Sequence, residues 1–161
     1  MGDYAQARFA VHDVMHRYAL AIDTKNWAAL EAVFAPTLTA DFRSFGAKEI
    51  FRGDARSWVA QVRSTIEGMD ATQHLMSNHL YQLGETQASG TTYIQAVHIC
   101  KQALGETEYT IGGHYDVQMV CLNSTWCIQE YALQCRWHRG NRSVLKAAVT
   151  TAKNARPLNA N

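Results

Sequence analysis

Val11, Val14, Met15, Tyr18 and Ile22 fall at i, i+3, i+4, i+7 and i+11. That single apolar stripe predicts an α-helix over about residues 4 to 22 with one buried face. Trp27, Leu30 and Phe34 fit a short second helix, with Asp23 or Thr24 available as its N-cap and Pro36 removing a donor to stop it. Asp23 then sits at a helix-helix corner. An extended stretch is expected over residues 38 to 45. A third helix opens at Gly53-Asp54, carries Trp58, Val59, Val62 and Ile66 on its apolar side, and ends at Gly68.

From Thr72 the pattern changes to β-branched and aromatic runs broken by turn residues, which predicts strands over 72 to 83, 91 to 104, 107 to 122 and 126 to 137. Leu83-Gly84-Glu85-Thr86 and Leu104-Gly105-Glu106-Thr107 repeat one turn sequence 21 residues apart, as successive antiparallel hairpins would. Helices first and strands afterward describe an α+β domain, three helices lying on one face of a strongly curved, mostly antiparallel sheet. Between helices and sheet there is room for a pocket.

Composition narrows the function. The 161 residues are 47% apolar and 18% charged with net charge +1, which suits one domain with its own core and excludes a disordered linker or a basic nucleic-acid binder. No apolar run approaches the ~20 residues that span a bilayer, and no basic-led apolar start marks export. The expectation is a cytoplasmic protein with no membrane or nucleic-acid partner. Cys100, Cys121, Cys127 and Cys135, spaced by 21, 6 and 8 positions, match neither a zinc knuckle nor a disulfide scaffold and read as buried thiols in a reducing compartment. The charge is unevenly placed: the last 31 residues carry six basic and no acidic side chains, the first 130 nine basic against fourteen acidic. Residues 1 to 140 therefore read as the domain, and 141 to 161 as a basic segment that covers the pocket through Val144, Leu145 and Val149.

Dinucleotide, phosphate-loop, zinc-peptidase and hydrolase signatures are absent. Seven histidines remain, of which strand alternation places His74 on one face with Met76, Asn78 and Leu80, and His79 and Tyr81 on the other. His98 shares a face with Ala96 and Ile94. If His74 and His98 look into the pocket from neighbouring strands and Asp23 arrives from the helix corner, the three form an acid-base unit: the carboxylate holds a tautomer and the imidazoles titrate near neutrality. No local ligand pair supports a metal at these residues, and neither metal nor cofactor is expected.

Asp23-Thr24-Lys25-Asn26-Trp27, Ala35-Pro36-Thr37-Leu38, Asp41-Phe42-Arg43-Ser44-Phe45, Thr72-Gln73-His74 and Arg136-Trp137 together resemble the scytalone dehydratase family, within the SnoaL-like group of the nuclear-transport-factor-2-like superfamily. The resemblance covers about residues 10 to 137. It implies a cone-shaped α+β fold with a deep pocket, cofactor-free elimination of water, and a histidine pair supported by an aspartate. Position by position, the carboxylate falls on Asp23 and the histidines on His74 and His98. Asp116 and Gln118 fall where the family places a small hydroxyl residue and an Asn facing the substrate, and Arg136 matches an Arg at the pocket rim.

Two tyrosines that help polarise the substrate carbonyl in that family are replaced by Ile22 and Phe42. Tyr18, one helical turn before Ile22, is then the candidate replacement donor. Phe42, Ile22, Met76 and Trp58 are the expected pocket walls. The reading is a lyase acting on a small hydroxylated cyclic or aromatic substrate. Isomerisation, dehydrohalogenation and retro-aldol cleavage in the same pocket are alternatives, as is a noncatalytic ligand-binding or assembly module. An outer sheet face with Leu75, Tyr81, Val97, Ile99 and Met119 suggests a homo-oligomer, dimer or trimer.

Overall fold

In the computed structural model, residues 2–155 are described; Arg156 of the basic segment lies outside them. The chain runs α1 (Gly2–Asp23), α2 (Trp27–Ala32), β1 (Phe34–Asp41), a 3-10 turn (Arg43–Phe45), β2 (Phe51–Asp54), α3 (Ala55–Ile66), β3 (Ala71–Leu83), β4 (Gln87–Ile99), β5 (Glu108–Leu122), β6 (Thr125–Gly140) and α4 (Ser143–Ala155). The six strands form one open, curved sheet in the order β2-β1-β6-β5-β4-β3. Every pairing is antiparallel except β1 with β6, which is parallel. The helices close over one face, so the α+β expectation holds. Among the described residues no helix is long and apolar enough to cross a membrane.

Helix α1 ends in a Schellman arrangement: the Asn26 N–H donates to the Ala21 carbonyl and the Lys25 N–H to that of Ile22, with Lys25 left-handed at φ 52°. The Lys25 ammonium donates to the carbonyls of Glu67 at 3.0 Å and Met69 at 2.7 Å, tying this corner to the end of α3. Asn26, not Asp23 or Thr24, caps α2 by accepting from the Ala29 N–H. The Asp23 carboxylate is thereby left free for the sheet. Phe34 starts β1 instead of continuing α2, and Pro36 falls within the register break between β1 and β6, where a missing donor costs no ladder bond.

Two further differences from the sequence reading have local causes. The stretch expected to stay extended to residue 45 folds into the 3-10 turn, pinned because the Ser44 hydroxyl donates to the Leu133 carbonyl and accepts from the Cys135 N–H. On β3 a bulge between Ser77 and Leu80, with Asn78 at φ 49°, reverses the alternation. His79 and Tyr81 consequently share the helix-facing side with His74, and Leu80 is exposed. The outer sheet face accordingly lacks Tyr81, and also lacks Met119, which packs in the core; Leu75, Leu80, Tyr93 and Trp137 are among its large exposed side chains.

Gly68 does more than end α3. A Cβ there would lie 2.0 Å from the Ala148 carbonyl oxygen and 2.8 Å from the Ala152 nitrogen, because α4 crosses against it. Gly68→Ala should therefore push α4 off its seat, at a cost of about 1–3 kcal/mol. The expected signs are a lower Tm and loss of amide-exchange protection across residues 143 to 155; unchanged protection would mean that α4 is not held by this contact.

Candidate active site

The end of α1 and the start of β3 meet through one carboxylate. Asp23 accepts three hydrogen bonds: from the Thr72 hydroxyl at 2.8 Å, the His74 N–H at 2.8 Å and the His74 ring Nδ1 at 2.7 Å. Burial works against the charged carboxylate. The His74 ring, the His74 N–H and Thr72 outweigh it and hold the Asp23 pKa below its ordinary value. An acceptor-only carboxylate facing Nδ1 requires the proton on Nδ1, so His74 keeps Nε2 as its uncommitted nitrogen.

His98 lies on the neighbouring strand, where the register pairs it with Thr72. Its ring stands edge-on to that of His74, with centroids 5.8 Å apart. The His98 Nδ1 is 3.1 Å from the Tyr109 carbonyl oxygen. A carbonyl only accepts, so here too Nδ1 carries the proton and Nε2 is bare. Burial first, and the His74 ring second, lower the His98 pKa to about 4, which leaves this imidazole neutral at ordinary pH.

Both rings line a cavity of about 340 Å³ between α1, α3, α4 and the sheet. Tyr18, Ile22, Phe42 and Trp58 line it as well, which brings them together with the two histidines. The Tyr18 hydroxyl lies 3.2 Å from that of Tyr115, and the Trp58 indole N–H donates to the Tyr131 hydroxyl at 2.6 Å. Burial raises the pKa values of Tyr18, Tyr115 and Tyr131 well above the phenolic range, so all three remain protonated donors. The rest of the wall is largely apolar, and Leu145 of α4 contributes to it.

Four expected substrate contacts lie elsewhere. Asp116 and Gln118 are on the outer face of β5, because the odd-numbered residues Tyr115, Val117 and Met119 of that strand point inward; Asp116 accepts from the Gln134 amide instead. Arg136 is in an outer groove beside Leu75, Tyr93 and Trp137. Met76 shares the side of His74 but packs against the core without lining the cavity. Ile94, Ile111, Tyr115 and Leu133 complete the wall: Ile94 through its shared face with His98 on β4, Ile111 and Tyr115 through strand parity with Tyr109 on β5, and Leu133 through parity with Tyr131 on β6. Among the described residues no group of three His, Cys, Asp or Glu side chains is arranged to hold a metal ion.

A SnoaL-like domain model matches residues 3–132. Scytalone dehydratase arp1 of Aspergillus fumigatus is 29% identical over 97 residues, covering 55% of this chain; the chain spans about half the length (55%) of that relative. The Kfla4162 protein of Kribbella flavida superposes with a TM-score of 0.82 at 20% identity over 90% of this chain and 98% of its own. A candidate scytalone dehydratase from Novosphingobium aromaticivorans gives 0.74 at 16% identity, over 88% and 93% respectively. A type 2 hexachlorocyclohexane dehydrochlorinase, LinA, gives 0.73 at 12% identity, over 85% and 90%. At these identities the structural matches establish a fold shared with small-molecule lyases.

The buried neutral state of His98 has a measurable consequence. An unfolded chain protonates this histidine near pH 6.5, whereas the folded chain resists protonation down to about pH 4. Stability supplied by the buried neutral ring is therefore intact above pH 6.5 and falls as pH drops toward 4, by on the order of 3 kcal/mol in all. Urea unfolding from pH 7.5 to 4 should show that slope. His98→Asn, whose amide still donates to the Tyr109 carbonyl, should make it shallower; an equal slope in both proteins would contradict the assignment.

Proposed function

The chain belongs to the SnoaL-like family, and from that premise we propose that it is a cofactor-independent carbon-oxygen lyase removing water from a small hydroxylated cyclic or aromatic substrate. One observation carries the reading. Two imidazoles with Nδ1 committed to Asp23 and to the Tyr109 carbonyl keep both Nε2 atoms uncommitted on rings that line one largely apolar cavity.

His74 is the base. Its Nε2 takes a proton from a carbon next to the substrate carbonyl, and the Asp23 carboxylate stabilises the imidazolium that forms. Charge moves to the carbonyl oxygen, where Tyr18, paired with Tyr115, donates in place of the polarising tyrosines whose positions hold Ile22 and Phe42. The carbon-oxygen bond beyond it breaks, and the proton on His74 Nε2 passes to the departing hydroxide. Water leaves, a carbon-carbon double bond remains, and His74 is neutral again. His98 is too weak a base for the abstraction; its bare Nε2 accepts from the substrate hydroxyl and aims it at His74.

The basic segment acts as a pocket cover in this reading. Leu145 reaches the cavity, and Arg142 donates to the Phe45 carbonyl at 2.6 Å, linking α4 to the 3-10 turn. The exposed Leu75, Tyr93 and Trp137 suit packing against a second copy of the chain.

The test is a panel of β-hydroxy ketones, hydroxylated aromatics and steroid-like alcohols assayed for loss of water. With a turned-over substrate, Tyr18→Phe should lower kcat by on the order of 10²-fold, the worth of one oxyanion-type donor. His74→Ala should cost at least as much as a general base contributes, about 10²- to 10⁴-fold. Unaltered rates in both variants would discard the reading, and release of halide, aldehyde or no leaving group would move it to dehydrohalogenation, retro-aldol cleavage or isomerisation.

A further inference from the structure

At the other end of the interface between α1 and β3, three histidines converge that the proposed reaction does not use. His12 and His16 are one turn apart on α1, and His79 faces them from β3 only because the bulge at Asn78 turns it inward. The ring centroids of His16 and His79 are 4.9 Å apart and those of His12 and His79 are 5.2 Å apart. His79 is five residues from His74, about 16 Å along a strand, so this cluster is separate from the cavity.

Thr92, which lies opposite the bulge, engages both the Ser77 carbonyl, at 3.3 Å, and the Nδ1 of His79. With Nδ1 so engaged, the Nε2 of His79 lies 3.0 Å from the Nε2 of His16. One ring's N–H fills that contact in the metal-free chain, and a dication that displaces the proton takes both nitrogens.

The same features describe half of a metal site. Two Zn–N bonds of 2.0–2.1 Å at a tetrahedral angle place their nitrogens about 3.3 Å apart, so seating the ion takes a few tenths of an ångström of opening and a turn of both rings that brings their lone pairs to a common point. A ligating histidine commonly donates its other N–H to a fixed acceptor, which is the part Thr92 plays for His79. Burial and the neighbouring His16 and His12 rings lower the His79 pKa to about 4, and burial, Arg8 and His16 lower that of His12, so both favour the neutral, ligand-competent form. Asp13 and Arg17, the next charged groups on α1, pair with each other at 3.0 Å and add no net charge. On β3, the Tyr81 ring packs edge-on to His12 at 5.3 Å, and its hydroxyl is buried without a partner.

We propose that His16 and His79, joined by His12, bind a borderline transition-metal dication such as Zn²⁺, bracing the middle of α1 against β3 and β4. No three such side chains among the described residues are arranged around a common point as they stand. The site is thus a preformed pair that the half-exposed His12 ring completes by turning about its side-chain bonds. A two- or three-imidazole set suits Zn²⁺, Co²⁺ or Ni²⁺ over the hard cations Mg²⁺ and Ca²⁺.

Isothermal titration of chelator-washed full-length protein with Zn²⁺ alone at pH 7.5 tests this directly, and independently of any lyase activity. The expected result is one ion per chain with a micromolar Kd and a raised Tm. His16 is exposed, so His16→Ala should fold normally and bind at least ten-fold more weakly, whereas His138→Ala, at an exposed histidine of β6, should bind as the parent does. Absence of stoichiometric binding, affinity undiminished in His16→Ala, or affinity lost in His138→Ala would each overturn the proposal.

Discussion

The molecule turns on a carboxylate in an unfavourable place. Asp23 is the last residue of α1, at the negative end of the helix dipole and half-buried, a position that disfavours an anion by about 0.3–1 kcal/mol before desolvation is counted. Three hydrogen bonds from Thr72 and His74 offset that cost, since bonds to an ionised acceptor are each worth roughly 1.5–3 kcal/mol. The same contacts dock α1 on β3 and decide which nitrogen of His74 carries its proton. Helix placement and imidazole tautomer are thus one event.

The long elements were legible because they repeat their pattern. Five apolar residues at helical spacing announced α1, and alternation over a dozen or more positions announced β3 to β6. Elements decided by a single contact were not legible: the 3-10 turn depends on Ser44 reaching β6 across 89 residues of sequence, and β2 is only four residues long. Asp23, His74 and His98 could be singled out because a corner, a strand and its neighbour bring them together whatever the details. Asp116 and Gln118 could not be placed by resemblance, since an error of one residue in strand register exchanges the two faces of a sheet. Tyr115, the inward neighbour of Asp116, lines the cavity instead. The bulge at Asn78 hid the cluster of His12, His16 and His79 in the same way, because alternation counted from His74 sends His79 to the wrong side.

The C-terminal end and the middle of α1 have opposite characters. Near Asp23 the chain commits a charge to orient a ring beside a largely apolar cavity, where protonated tyrosines remain as donors for the proposed proton transfer. Near His16 the rings are partly exposed and packed on one another, an arrangement suited to holding a cation and not to enclosing a substrate. Gly68 and the Lys25 ammonium hold the corner that follows Asp23 to α3 and α4. The cavity wall and the carboxylate are in this way carried on one connected frame.

The central claim is that both cavity histidines carry their proton on Nδ1 and leave Nε2 bare. Long-range ¹H–¹⁵N correlation of the histidine rings at pH 7.5 reads this directly, with Asp23→Asn and His98→Asn serving to assign the signals. His74 and His98 should each show a protonated Nδ1 and an unprotonated Nε2, and Asp23→Asn should alter the His74 pattern while leaving that of His98 in place. A protonated Nε2 on either ring, with a bare Nδ1, would contradict the account.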